Sequence, residues 1–227
     1  MTQSMSVLGF RVSRTDATGA PDFGNPVGSM YVCSGVRTFQ MTDNVEAGDD
    51  IAEKDGANRL CVTRKYDDSL KRVDFNIEMC DDSRKLKEIL GIGTAVTVNG
   101  DPYGGLVTQA RTGCSNPTPR KPVILEVYVE NWECSGPSAP YPYKVIVYPR
   151  VFLSTGDRTF QSGLVPLTLT GFAETTAAFS DGPFGDYDEL NVAPYNTVGF
   201  LRYERDIAAL PSNVDCLQLA ALPGSAS

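Results

Sequence analysis

Arg72-Val73-Asp74-Phe75-Asn76-Ile77-Glu78-Met79 places an apolar side chain at every second position, so Val73, Phe75, Ile77 and Met79 share one face of an extended strand. The opposite face is polar. The same period of two runs through 123–133, where Leu125, Val127 and Val129 face one way and Glu126, Tyr128, Glu130 and Trp132 the other. Further strands are expected at Gly9–Arg14, Tyr31–Asn44, Leu60–Lys65, Thr94–Val98, Tyr143–Leu153, Leu164–Glu174 and Val198–Tyr203, most of them rich in β-branched and aromatic residues. Asp55-Gly56, Asn99-Gly100 and Ser135-Gly136-Pro137 punctuate them with turn chemistry.

One short helix is expected over 81–91: Asp81-Asp82-Ser83 supplies an N-cap, Leu86, Ile89 and Leu90 form an apolar side, and Gly91 closes the end. A single brief helix among many strands predicts a mainly β fold, a β-sandwich or half-barrel with long loops, over one domain spanning 1–227. The loops are Asp16–Ser29, Thr112–Pro122 and the acidic Ser180–Glu189, and 219–227 reads as a mobile tail. There is no fixed-period repeat.

Composition excludes several classes. The sequence has no histidine, which removes Ser-His-Asp and Cys-His catalysis and the commonest metal ligand. It has no phosphate-cradling G-x-x-x-x-G-K-[ST] and no complete dinucleotide fingerprint. Glu126 and Glu130 lie four strand residues apart, about 13 Å, beyond the roughly 5–9.5 Å of a glycosidase pair. The expectation is a non-enzyme without cofactor or metal. No run approaches the roughly 18 apolar residues of a spanning helix, and Met1-Thr2-Gln3-Ser4 is unlike a secretory leader, so cytosolic synthesis is expected. Cys33, Cys61, Cys80, Cys114, Cys134 and Cys216 are scattered without a C-x-x-C pair, and buried free thiols are the expectation. A formal charge of −8 argues against coating nucleic acid, while an acidic wall beside DNA would repel phosphates and prevent sticking.

The acidic stretch Asp43, Glu46, Asp49, Asp50, Glu53 and Asp55 admits three readings: a solvated hairpin end, an assembly or lumen surface, or a calcium loop lacking EF-hand spacing. The basic residues Arg59, Arg64, Lys65, Lys71, Arg72, Arg84, Lys85 and Lys87 form either a solvated surface or the partner of an acidic segment on the next copy. Trp132, Tyr128, Tyr141, Tyr143 and Tyr148 read as core, with interface anchoring behind it.

In order along the chain, Gly35-Val36-Arg37-Thr38-Phe39, Asp49-Asp50, Cys61, Lys71-Arg72-Val73-Asp74, Met79-Cys80-Asp81 and Lys87-Glu88-Ile89-Leu90-Gly91 resemble the major tail tube proteins of siphophages infecting actinobacteria. Val165-Pro166-Leu167-Thr168-Leu169-Thr170-Gly171 and the Asp181-Gly182-Pro183 turn resemble the closing strand and loop of the same proteins. The resemblance implies a virion subunit of the phage tail that forms hexameric rings stacked as a hollow tube. Double-stranded DNA would pass through it without specific binding, other tail proteins would sit at the tube ends, and no membrane is involved. It implies a hairpin of Tyr31–Asn44 with Leu60–Asp67, whose acidic loop 45–59 reaches a neighbouring ring through Glu46, Asp49, Asp50, Glu53, Asp55 and Arg59. Arg72, Asp74, Glu78, Glu126 and Glu130 would face the lumen or a subunit interface. The proline-rich 112–122 and 135–142 exceed what a minimal tube subunit needs. Competing readings are a capsid decoration or tail terminator, and a carbohydrate- or calcium-binding β-sandwich.

Overall fold

The strand that opens the sequence reading lies inside a curled antiparallel sheet. A computed structural model describes residues 7–16, 18–22, 30–33, 35–48, 50–54, 60–65, 67–80, 82–108, 121–133, 136–137, 140–156, 166–180, 182–183 and 186–210; for 50–54, 60–64, 133 and 136–137 the backbone alone is described. The elements are β1 (Val7–Arg14), β2 (Met30–Cys33), β3 (Val36–Glu46), β4 (Asp50–Lys54), β5 (Leu60–Lys65), β6 (Ser69–Met79) and α1 (Arg84–Ile89). They continue with β7 (Thr94–Val98), β8 (Asp101–Val107), β9 (Val123–Glu130), β10 (Trp132–Glu133), β11 (Gly136–Pro137), β12 (Tyr143–Thr155), β13 (Leu167–Ala173), α2 (Tyr195–Val198) and β14 (Tyr203–Ile207).

The main sheet runs in the order β2-β1-β9-β12-β13-β6-β3, and all its pairs are antiparallel. The N-terminal half of β12 also carries β14, so β13 and β14 divide its length, meeting residues 151–155 and 143–147. The chain is mainly β, as expected, and the sheet is curled rather than flat. Phe10, Tyr31 and Cys33 from one end and Val73, Phe75, Ile77 and Met79 from the other bury in a single core, and β3 comes against β1. Leu86, Ile89 and Leu90 of α1 enter the same core. Each large apolar side chain buried in this way contributes roughly 1.5–3 kcal/mol.

A second core lies on the other face of β9 and β12. There Ile124, Tyr128, Val145 and Val147 pack under Phe179, Tyr187 and Leu190 of the segment that follows β13. Strand β9 is therefore buried on both faces over Val123–Val129, including the face that carries Glu126 and Tyr128.

Local chemistry explains the punctuation. Asn99 and Gly100 have φ of 52° and 83°, the two positive values that a tight two-residue hairpin turn requires, and they join β7 to β8. The Ser83 hydroxyl accepts from the Leu86 N–H at the start of α1, and Gly91 follows with φ 70°, as the sequence predicts. Two expectations differ. Residues 198–203 do not form one strand: Thr176 exchanges backbone hydrogen bonds with Phe200, and β14 starts only at Tyr203. The predicted pairing of Tyr31–Asn44 with Leu60–Asp67 is also corrected. Strand β3 pairs with β6, whose alternating apolar face matches Phe39 and Met41 in register, and β5 pairs with β4 in a separate two-stranded arm. The 45–59 segment is thus partly strand. Its residues Asp49 and 55–59 lie outside the described residues, as does the 219–227 tail.

Candidate functional site

Four strands present one uncovered face. Register aligns Gln40, Asn76, Thr170 and Ser154 across β3, β6, β13 and β12, and the next row is Thr42, Asp74, Phe172 and Phe152. Every one of these side chains is exposed or half-buried, in contrast to β9, whose outer face lies under the C-terminal segment. The face is polar with two phenylalanines, whose ring centroids are 5.4 Å apart, flanked by the guanidinium groups of Arg72 and Arg150. It ends at β3, an eleven-residue strand that has β6 on one side and no strand on the other among the described residues. Such an edge leaves a row of backbone donors and acceptors available for another chain.

The charges here are paired. Arg72 Nε lies 2.9 Å from Asp74 Oδ1, Arg37 Nη1 lies 3.3 Å from Glu78 Oε1, and Lys71 Nζ lies 3.3 Å from Glu46 Oε2. Arg72, Asp74 and Glu78 are therefore brought together on one sheet face, and the face is charge-balanced rather than acidic. Glu46 is exposed at the far end of β3. Asp50 and Glu53 lie on β4 with only their backbone described, and Asp49, Asp55 and Arg59 lie outside the described residues.

Glu126 is corrected as a lumen or interface residue. Its carboxylate is fully buried, receives two hydrogen bonds from the Arg11 guanidinium, and accepts a third from the Tyr187 hydroxyl at 2.6 Å. Burial opposes the charge on Arg11, but the facing Glu126 carboxylate outweighs it and keeps the guanidinium ionised. Burial, followed by the Glu126 charge, holds the hydroxyls of Tyr128 and Tyr187 well above their ordinary range. The cluster ties β1, β9 and the covering segment together. Its position between two cores gives it a structural role. Glu130, at the end of the same strand, is half-buried and accepts from Trp132 Nε1 at 2.9 Å, while the Trp132 side chain is 61% exposed.

Sequence reasoning missed a basic cleft beside α1. Asp82, Ser83, Arg84, Lys85 and Lys87 line it with Tyr103, Gly105 and Leu106 of β8, and it is an open groove of about 640 Å³. The missed signal is that Lys85 and Lys87 flank Leu86 on a helix of only six residues, which pulls both lysines toward the sheet. Among the described residues no group of three or more potential metal ligands comes together, and no helix is long and apolar enough to cross a membrane. Comparison of the sequence with protein-family models returned no match, and comparison with curated proteins returned none either.

Proposed function

We propose that the chain is a structural, non-enzymatic subunit that assembles with copies of itself, and specifically the major tube protein of a siphophage tail, forming hexameric rings stacked as a conduit for double-stranded DNA. The observation that carries this reading is the uncovered four-stranded face ending in β3, which among the described residues pairs with a strand on one side only. A subunit with one face of its sheet sealed by its own chain and the adjoining face left open and polar suits a shared wall. Pairing of β3 with a neighbour would satisfy its unpaired backbone groups and remove an aggregation-prone edge.

The chemistry of the face suits a conduit. Threonine, asparagine and glutamine alternate with ion pairs whose cations are already answered, so no free cation array is offered to phosphates. The low adhesion expected of a conduit then comes from paired charge on the wall, and the excess of carboxylates lies elsewhere on the subunit.

Lysine placed on the exposed edge tests the joint. Gln40→Lys with Thr42→Lys should leave the fold within about 0.5 kcal/mol of the parent while abolishing assembled particles in negative-stain images, because charged side chains block edge pairing. A double variant that assembles as the parent does would exclude β3 as the joint.

A further inference from the structure

The groove between α1 and β8 holds an amine that its surroundings do not neutralise. Lys85 is 9% exposed and lines the groove together with Ser83, Arg84, Lys87 and Tyr103. Among the described residues no carboxylate lies within ion-pair distance of it: Asp82 pairs with Lys87, and Glu88, on the same helix, attracts Lys85 only from farther away. Arg14 faces it from β1 with a second positive charge, and the Arg14 Nε is itself buried without a hydrogen-bond partner. A buried stem, a missing counter-ion and a neighbouring cation all disfavour the ammonium, and a lysine desolvated beside another cation is an activated nucleophile. Its amine is pushed down to about 8 from the ordinary 10.5. At pH 7.5 about a quarter of such amines are uncharged, against about one in a thousand for an ordinary lysine.

The residue beside it supplies a second function. Arg84 donates through Nη1 to the Tyr103 carbonyl at 3.0 Å, a neutral acceptor that ties the guanidinium to the groove without answering its charge. Its remaining donors have the geometry that grips phosphate oxygens. Nucleophile and anion seat therefore line one groove. We propose that Lys85 is an acyl-acceptor site, whose amine takes the acyl group of a small acyl phosphate held through its phosphate by Arg84. The lone pair of the uncharged amine attacks the acyl carbon and a C–N bond forms. The bond from that carbon to the phosphate oxygen breaks, inorganic phosphate leaves with its electron pair, and the proton displaced from nitrogen goes to water. No oxidant, metal or catalytic residue is required, because holding the donor beside the nucleophile supplies the acceleration. The product is a neutral amide, which removes the cost of an unpartnered ammonium in a half-buried site. This modification is independent of whether copies of the chain assemble.

The test is a race between lysines of the intact chain. The full-length protein would be incubated at pH 7.5 with acetyl phosphate, and acetylation at each lysine followed in time by quantitative peptide mass spectrometry. Lys85 should be acetylated at least about tenfold faster than the exposed Lys65 and Lys121. Added inorganic phosphate should slow the reaction at Lys85 and leave the exposed lysines unchanged. Arg84→Gln should slow it at least fivefold with acetyl phosphate and leave it unchanged with acetic anhydride, a donor that carries no phosphate. Acetylation of Lys85 at the rate of Lys65 and Lys121 in the parent chain would overturn the site. Insensitivity to phosphate in the parent, or equal slowing of both donors by Arg84→Gln, would overturn the seat assigned to Arg84.

Discussion

Glu126 receives hydrogen bonds from Arg11 and Tyr187 with no surface exposed to water, so each of its partners depends on it. Glu126→Leu leaves a buried guanidinium unanswered and should cost about 3–5 kcal/mol in urea unfolding, whereas Tyr187→Phe should cost about 1–2 kcal/mol. Adding Arg11→Met to Glu126→Leu should recover most of the loss; a double variant as unstable as the single one would mean that the ion pair is not what the cluster rests on. Lys85 behaves oppositely. Burial, with help from the Arg14 charge on β1 and against the Glu88 carboxylate on α1, pushes its ammonium down to about 8 from the ordinary 10.5. The folded chain therefore gives up this proton before the unfolded chain does. The site's stabilising contribution is complete above pH 10.5 and is lost as pH falls through 8. Lys85→Met should accordingly be at least as stable as the parent at pH 7, with an advantage that shrinks by pH 10, as urea midpoints at the two values would reveal. In the sequence, Glu126 reads as a surface carboxylate because it falls on the alternate positions of its strand. Its neighbours on that face, Ile124 and Tyr128, are themselves apolar, and Arg11 sits in an equally apolar strand, which is the signal of a buried pair.

At the scale of elements, alternation identified β6, β7 and the paths of β9, β12 and β13, and capping residues identified α1, because these depend on near neighbours along the chain. Pairing was less legible. The resemblance implies a direct hairpin across 45–59, yet β3 finds its partner in β6, where ten residue pairs match, and β4 and β5 are left as an arm. Strand β8 is not among the strands expected from the sequence, because Asp101-Pro102-Tyr103-Gly104-Gly105 is poor in strand formers; it is held in place by its partner β7 and the Asn99-Gly100 turn. The arm's independence makes a prediction. Replacing 47–68 with Asn-Gly should join Glu46 to Ser69, which already face each other, and preserve the cooperative thermal transition while eliminating assembly. Loss of the folded far-UV signal would show instead that the arm supports the sheet. Where β12 and β13 meet, a Cβ on Gly171 would lie 2.0 Å from the Phe152 carbonyl oxygen, so Gly171→Ala should cost about 3 kcal/mol in thermal or urea unfolding.

For the whole molecule, the distribution of covered and uncovered surface matters more than any one side chain. One core fills the curl of the sheet, a second lies beneath the segment after β13, and the polar quarter of β12, β13, β6 and β3 is left open, ending at a strand that pairs on one side only among the described residues. Mainly β architecture was legible because most strands of the main sheet carry their own pattern. The curl was not, because it follows from which distant strands share a core. The expected acidic wall was likewise a statement about total charge, and total charge does not say where carboxylates sit: those on the open face are answered by Arg37 and Arg72. Cryo-electron microscopy of the purified full-length chain, across protein concentration and salt, tests the assembly claim most directly. Six-fold rings stacked into hollow tubes, with β3 of one subunit continuing the sheet of the next, are the predicted result, and a chain that remains a compact monomer under all of these conditions would contradict it.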